Sequence, residues 1–167
     1  MRSNLLFEFT IDKETNTVNV KREFDATLVL VWEAWTNPEI LDEWWAPKPW
    51  KTETVSMNFR EGGTWLYYMK GPEGERHYCK NDYQTIDIQK SFFGMDAFCD
   101  ENGITNDDFP RTLWKNTFTQ SDETTTVNIV AKYNSLEDLE KIIAMGFKEG
   151  FTMALGNLDN YFAALKN

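Results

Sequence analysis

Residues 135–166 read SLEDLEKIIAMGFKEGFTMALGNLDNYFAALK. Ser135 reads as a helix N-cap, and Glu137 and Asp138 follow in the first turn, close to a capping box. Behind it Leu139, Ile143, Phe147, Phe151, Ala154, Leu158, Tyr161 and Leu165 recur at spacings of three and four. That period predicts a single helix running to about Lys166 with one buried stripe. Gly146 and Gly150 interrupt it. Each glycine costs about 1 kcal/mol relative to Ala in a helix interior. Both are therefore expected where the sheet, or a bound molecule, comes too close for a side chain, with packing the plainer account.

The strands that such a helix needs precede it. Residues 113–120 and 124–133 pair about Ser121-Asp122-Glu123, with Val127, Ile129, Ala131 and Tyr133 on one face. A polar loop runs from Asp100 through Asp108, and 76–87 pairs with 91–99 about Ile88-Gln89-Lys90. Residues 64–70 put Trp65, Tyr67 and Met69 on one face, between turns at Glu61-Gly62-Gly63 and Gly71-Pro72-Glu73-Gly74. In 51–59, Val55, Met57 and Phe59 oppose Thr54, Ser56 and Asn58.

Residues 26–36 are mixed. Their β-branched content suggests a strand, but Leu28, Val31, Trp32 and Trp35 recur as on a helical face, and the helix is favoured. Asn37 then caps a second helix, with Pro38 at its first position and Glu39 behind. It stops after Trp44-Trp45, ahead of Pro47 and Pro49. At the start, 5–11 reads as an extra strand, paired across the polar turn 12–16 with one that buries Val18, Val20 and Phe24. The order is strands, two short helices, more strands, then one long helix. It predicts an α+β fold in a single domain over 1–167.

Composition bounds the function. Among 167 residues there are 27 acidic and 17 basic ones, for a net charge of -10. That field repels phosphate backbones and anionic lipid, so neither nucleic acid nor a membrane surface is an expected partner. No run approaches about 18 apolar residues, and Glu8 interrupts the opening stretch before a signal-peptide core forms. With only two cysteines the chain has no disulfide framework, and a cytoplasmic location is expected. Seven Trp, six Tyr and twelve Phe are many for this length, and they belong in a core or in an apolar pocket wall.

Catalytic motifs are sparse. There is one histidine, His77, and no G-x-S-x-G, P-loop, G-x-G-x-x-G, H-E-x-x-H or C-x-x-C pattern. No catalytic residue and no cofactor is assigned, and the chain is not expected to be an enzyme, although paired carboxylates brought together by folding would be invisible. His77 and Cys79 share a strand face. A hairpin centred on Gln89 sets Cys79 opposite Cys99, which would gather three soft ligands, with Glu101 near in register. Plain packing of the thiols is preferred to a metal site or a redox pair. The next hairpin leaves His77 beside either Tyr67 or Tyr68.

The chain resembles the activator of Hsp90 ATPase homologue 1-like family, part of the START-like (Bet v 1-like, SRPBCC) superfamily. The carrying residues are Phe24-Asp25-Ala26, Val31 to Glu39, Trp44-Trp45-Ala46-Pro47, Glu61-Gly62-Gly63, Met69 to Gly74 and Met145 to Phe151, and the match spans roughly residues 17–165. The resemblance implies a helix-grip fold, a curved antiparallel sheet wrapped around the C-terminal helix, with a cavity between them. Superfamily members bind lipids, hormones or polyketides there, so a small apolar ligand is expected. Candidate wall residues are Trp32, Trp65, Tyr67, Met69, His77, Cys79, Tyr83, Met95, Phe118, Phe147, Phe151 and Leu155. Tyr67, Tyr83 and His77 are the candidate polar groups among them. An Hsp90 homologue as partner, and a cyclase- or hydrolase-type enzyme in the same cavity, are the alternatives. A monomer or homodimer is left open.

Overall fold

The structure, a computed structural model, describes residues 4–166; the outermost residues of the expected 1–167 domain lie outside it. Eight strands form one antiparallel sheet: β1 (Phe7–Asp12), β2 (Thr17–Phe24), β3 (Lys51–Met57), β4 (Thr64–Lys70), β5 (Arg76–Asp87), β6 (Ser91–Phe98), β7 (Thr112–Ser121) and β8 (Thr124–Lys132). Their spatial order is β1-β2-β8-β7-β6-β5-β4-β3. Four helices complete the described residues: α1 (Leu28–Thr36), α2 (Pro38–Trp44), α3 (Leu136–Ala144) and α4 (Phe147–Leu165). The sheet curves around the helices, which gives the helix-grip arrangement expected of an α+β chain of this order.

Local chemistry sets the boundaries. The ambiguous stretch is helical in α1, and Val31, Trp32, Ala34 and Trp35 are buried as its period requires. Asn37 Oδ1 accepts the Glu39 amide at 3.0 Å and caps α2, and Ser135 Oγ accepts the Asp138 amide at 3.1 Å and caps α3. Hairpin turns place Asn16, Gln89 and Asp122 at positive φ. Asp12 Oδ1 accepts the amides of Glu14 and Thr15, which tightens the first of them.

The C-terminal segment departs from expectation. It is two helices, because Gly146 adopts φ 92° between them. That conformation strains any residue with a Cβ. A Cβ on Gly146 would meet nothing within 4 Å, so glycine stands here for backbone conformation and not for a close approach. Gly150 has ordinary helical geometry, and a Cβ there would lie 3.7 Å from Pro47 Cγ. The break also rotates the stripe. Ile142 is buried where Ile143 was expected, Phe162 is buried where Tyr161 was expected, and Leu165 is exposed. Replacing Gly146 by Ala should cost about 1 kcal/mol or more, read as a lowered urea midpoint with unchanged slope.

Two bulges correct the strand registers. In β3 the pairing shifts between Thr54 and Ser56. Thr54 therefore faces inward opposite Tyr67 and accepts the Trp65 indole N–H at 3.0 Å. Val55, expected on the inner face with Met57, is exposed. In β5 the pairing shifts between Tyr83 and Ile86. The hairpin does turn at Gln89, but beyond the bulge Cys79 opposes Phe98 and not Cys99. Adjacent residues on a strand point to opposite faces, so Cys99 lies on the other side of the sheet from Cys79. Both thiols are free, and among the described residues no group of His, Cys, Asp and Glu is arranged to hold a metal. His77 stands opposite Met69, between neither of the tyrosines expected beside it, and Cys79 stands opposite Tyr67.

The helices fill the concave side. Trp32 of α1 packs edge-on against Phe59, Phe92 and Phe118, with ring centroids at 6.0, 5.8 and 5.0 Å. Tyr83 closes this cluster against Phe59 at 4.8 Å. α4 crosses the middle of the sheet, with Phe162 against Phe24 at 5.8 Å. Its Asn157 Nδ2 donates to the carbonyl of Ala46 at 3.0 Å, tying the helix to the segment after α2. Arg22 of β2 pairs with Asp159 of α4. Among the described residues no helix is long and apolar enough to cross a membrane.

Candidate ligand-binding site

The aromatic filling stops halfway along the concave face. The half under α1 is closed by rings. The half under the start of α4 holds a cavity of about 240 Å³. Alternation along the strands builds its floor: Tyr67 and Met69 from β4, His77 and Cys79 from β5, Asp96 and Phe98 from β6, Thr112 and Trp114 from β7. Tyr133, one residue past β8, extends it. The roof is Trp45 and Pro47 after α2, Ile142 and Met145 at the end of α3, and Gly146, Phe147, Gly150 and Phe151. His77 and Met145 are exposed and mark the mouth.

Four rings make the apolar wall. Phe147 and Phe151, one helical turn apart, stack at 5.5 Å. Trp114 meets them at 5.8 and 5.6 Å, and Trp45 meets Phe151 at 6.1 Å and Trp114 at 5.9 Å. Outside, Phe9 of β1 supports Phe147 at 6.1 Å. At the rim Trp50 lies against the His77 ring at 5.0 Å. The 99–111 loop is held to α3 where Lys141 Nζ donates to the Asp108 carbonyl at 2.7 Å, and its Pro110 completes the wall.

A polar pole sits on the floor. Asp96 Oδ2 accepts the Trp114 indole N–H at 2.7 Å, and Oδ1 accepts the Thr112 amide at 2.9 Å. Burial raises its pKa from 3.8 to about 6, and these two donors, the Thr112 hydroxyl and the Arg111 charge only partly oppose the rise. Arg111 spends its own bonds on Asp82 and on the Met95 and Asp96 carbonyls. The Tyr67 hydroxyl accepts the Trp45 indole N–H at 3.1 Å, and burial raises its pKa well above the usual range. Burial also pushes the Cys79 thiol up to about 12, so it stays protonated. The Tyr133 hydroxyl is buried, and its neighbour Thr112 does not meet it at full hydrogen-bond geometry, leaving it unpartnered. Across the strand from Asp96 stands Asn81. A Cβ on Gly94 would come within 2.1 Å of the Asn81 Oδ1, so the glycine is what admits that side chain.

The elevated pKa of Asp96 has a consequence for stability. Only the protonated carboxyl favours the fold. Its contribution is complete below the unfolded value near 3.8 and is lost as pH rises through about 6. At about 1.4 kcal/mol per pKa unit, the swing is worth up to about 3 kcal/mol. Asp96→Asn does not titrate but keeps an oxygen for only one of the two donors, so its stability relative to the wild type should move in the variant's favour by about 1–3 kcal/mol between pH 4 and pH 7.5. Paired urea melts at the two pH values check it; equal differences would contradict the buried-carboxylate account.

The cavity draws on half of the residues expected in it. Tyr67, Met69, His77, Cys79, Phe147 and Phe151 line it. Trp32, Tyr83 and Phe118 belong instead to the closed aromatic cluster under α1. Trp65 lies behind the wall, stacked on Tyr67 at 4.0 Å, and Leu155 is fully buried in the core. Met95 opposes Asp82 and Leu113 on the outer face, out of phase with Asp96. The unanticipated members carried signals. Asp96 shares strand parity with Phe92 and Phe98, Trp114 shares it with Phe118, and Tyr133 continues the face of Ile129 and Ala131. Trp45 and Pro47 carried none, since they come from a connection whose path only the fold sets.

Comparison with known proteins agrees with this architecture. The family model described as Activator of Hsp90 ATPase homolog 1-like protein matches residues 25–163, beginning just after β2. Among solved structures, protein Ms6760 from Mycobacterium smegmatis is 30% identical with a TM-score of 0.85, covering 95% of this chain and 96% of that one. A protein from Arthrobacter aurescens is 29% identical with a TM-score of 0.86, covering 91% and 88%. Protein NE0264 from Nitrosomonas europaea shares the fold at 24% identity and a TM-score of 0.79, covering 93% and 99%. No curated protein matches the chain. With the family pattern covering every element from α1 through most of α4, the chain belongs to the Activator of Hsp90 ATPase homolog 1-like family.

Proposed function

We propose that the protein is a binding module for a small, mostly apolar molecule held between the sheet and α4. The observation that carries this reading is the cavity itself: about 240 Å³, walled by Trp45, Trp114, Phe147 and Phe151, beside a packed cluster of Trp32, Phe59, Tyr83, Phe92 and Phe118. An apolar wall with a few polar groups is the usual form of a small-molecule site. A ligand burying about 250 Å² of apolar surface gains about 6 kcal/mol. Lost translational and rotational freedom takes back several of these, so micromolar affinity is the expected range.

We read the site as binding rather than turning over its ligand. A perturbed carboxylate in a cavity is a mark of acid-base chemistry, and Asp96 is one. Its companions do not support a reaction. The Cys79 thiol, pushed up to about 12, is a poor nucleophile, and burial holds Tyr67 and Tyr133 protonated. Native mass spectrometry and a thermal-shift screen of apolar and aromatic metabolites test the reading. Stoichiometric adducts with a raised Tm are expected; a screen with neither, at millimolar ligand, would sink it.

A further inference from the structure

The cavity has one end whose polarity is not needed to hold an apolar molecule. Asp96 is the only acidic or basic residue among its lining apart from His77 at the mouth. Its carboxylate accepts two hydrogen bonds, from Trp114 and from the Thr112 backbone, both along β7. The Thr112 hydroxyl stands beside it as well, and a carboxylate has about four acceptor positions, so at least one is left to the cavity. Among the described residues no lysine or arginine lines the cavity. Arg111, the residue before β7, bonds Asp82 and two backbone carbonyls. The other groups around Asp96 are Asn81 across the strand and the Thr112 hydroxyl, with the Tyr67 hydroxyl from β4, the Cys79 thiol from β5 and the Tyr133 hydroxyl after β8, these last three kept protonated by burial. The Tyr133 hydroxyl is buried and unpartnered at the same cavity wall. A buried negative charge with no cation bonded to it and a buried hydroxyl without a partner are both costly. A ligand that satisfies both recovers that cost on binding.

Resting on the reading of the cavity as a small-molecule site, we propose that its ligand is an amine: a cationic head held by the Asp96 carboxylate and the Tyr133 hydroxyl oxygen, with an apolar or aromatic body against Trp114, Phe147 and Phe151. The ammonium supplies the missing counter-charge, and its remaining hydrogens meet the two oxygens. The indole and phenyl faces nearby favour a cation further. The net charge of -10 draws cations toward the protein and repels anionic analogues of the same shape. The wall makes no such distinction: an uncharged molecule of equal size gains the apolar contacts and leaves the polar pole unmet.

Three indoles of matched shape separate these contributions: tryptamine, 3-ethylindole and indole-3-propionate, titrated calorimetrically at pH 7.5. Tryptamine is expected to bind at least ten-fold more tightly than 3-ethylindole, and indole-3-propionate most weakly. Asp96→Asn should erase the advantage of tryptamine over 3-ethylindole. Tyr133→Phe should reduce that ratio several-fold. Lowering the pH to 5, where Asp96 takes up a proton, should narrow the gap between tryptamine and 3-ethylindole in the wild type and not in Asp96→Asn. If 3-ethylindole binds and tryptamine binds no better, the amine assignment is wrong and the apolar-site reading survives. If none of the three binds at millimolar concentration, both fail.

Discussion

Gly150→Leu is expected to close the cavity and to abolish ligand uptake without unfolding the protein. Gly150 sits one turn into α4 at the roof, and a side chain placed there starts beside Pro47 with an ordinary 3.7 Å contact. Nothing at that point forces the backbone apart, and φ is not in the left-handed region, so the substitution is free of the strain that applies at Gly146. Replacing an interior helix glycine gains about 1 kcal/mol of helix propensity, and the added side chain buries itself in space the wild type leaves open. Stability should therefore stay level or rise by about 1 kcal/mol. Ligand affinity should fall by at least about ten-fold, or about 1.4 kcal/mol, because the ligand competes with leucine for the same volume. Thermal shift with any compound that stabilises the wild type checks it. A variant that still binds at wild-type affinity places the ligand elsewhere. Opposite signs for binding and stability are what distinguish a cavity kept open for use from an ordinary packing position.

The largest loss of stability is expected from Trp44→Ala, at about 3–5 kcal/mol. Trp44 is fully buried at the end of α2. It meets Trp35 at 4.7 Å and Trp45 at 5.2 Å, and its indole N–H donates to the Ala34 carbonyl at 2.9 Å. Its loss removes a contact that joins α1 to α2 and leaves a large void in the core. It also releases Trp45, which forms part of the cavity wall. For a domain of this size each kcal/mol lowers Tm by about 2–4 °C, so a drop of about 10 °C is expected in circular dichroism melts. A drop below about 3 °C would show that α1 and α2 are not held through this residue. Ligand binding should weaken alongside, in contrast to Gly150→Leu, where the fold persists without it.

The difference between these two positions mirrors what the chain discloses along its length and what it withholds. Period and capping were readable one residue at a time. Asn37 and Ser135 bond the amides their helix starts require, the α1 stripe buries the rings its spacing selects, and the Val127 to Tyr133 face turns inward as its alternation demands. These signals are local, since a side chain two or four residues away settles them. The family pattern added the helix-grip arrangement. The break at Gly146 was harder to see, because a glycine in a helical period looks the same whether it serves a close approach or a positive φ.

The site depends on terms that no local pattern contains. One extra residue in β5, between Tyr83 and Ile86, moves Cys79 from Cys99 to Phe98 and removes the thiol pair. One in β3 turns Thr54 inward and Val55 outward. A bulge is a compromise between strand twist and the packing of distant rings, so its position is set by the whole sheet. Which half of the concave face fills and which stays open is decided the same way. Trp32 reaches one half from α1 and leaves the other to be covered by Phe147 and Phe151. Asp96 is the sharpest case. Along the chain it is one carboxylate among many, and it becomes singular only where folding removes water from it and brings Tyr133 alongside. Sequence alone determined the strands, the first two helices, the order of elements and most of the apolar inner faces, because those follow from neighbours within a turn. Only tertiary structure decided where space remains and which charge borders it, because both are sums over strands that meet far apart in the chain.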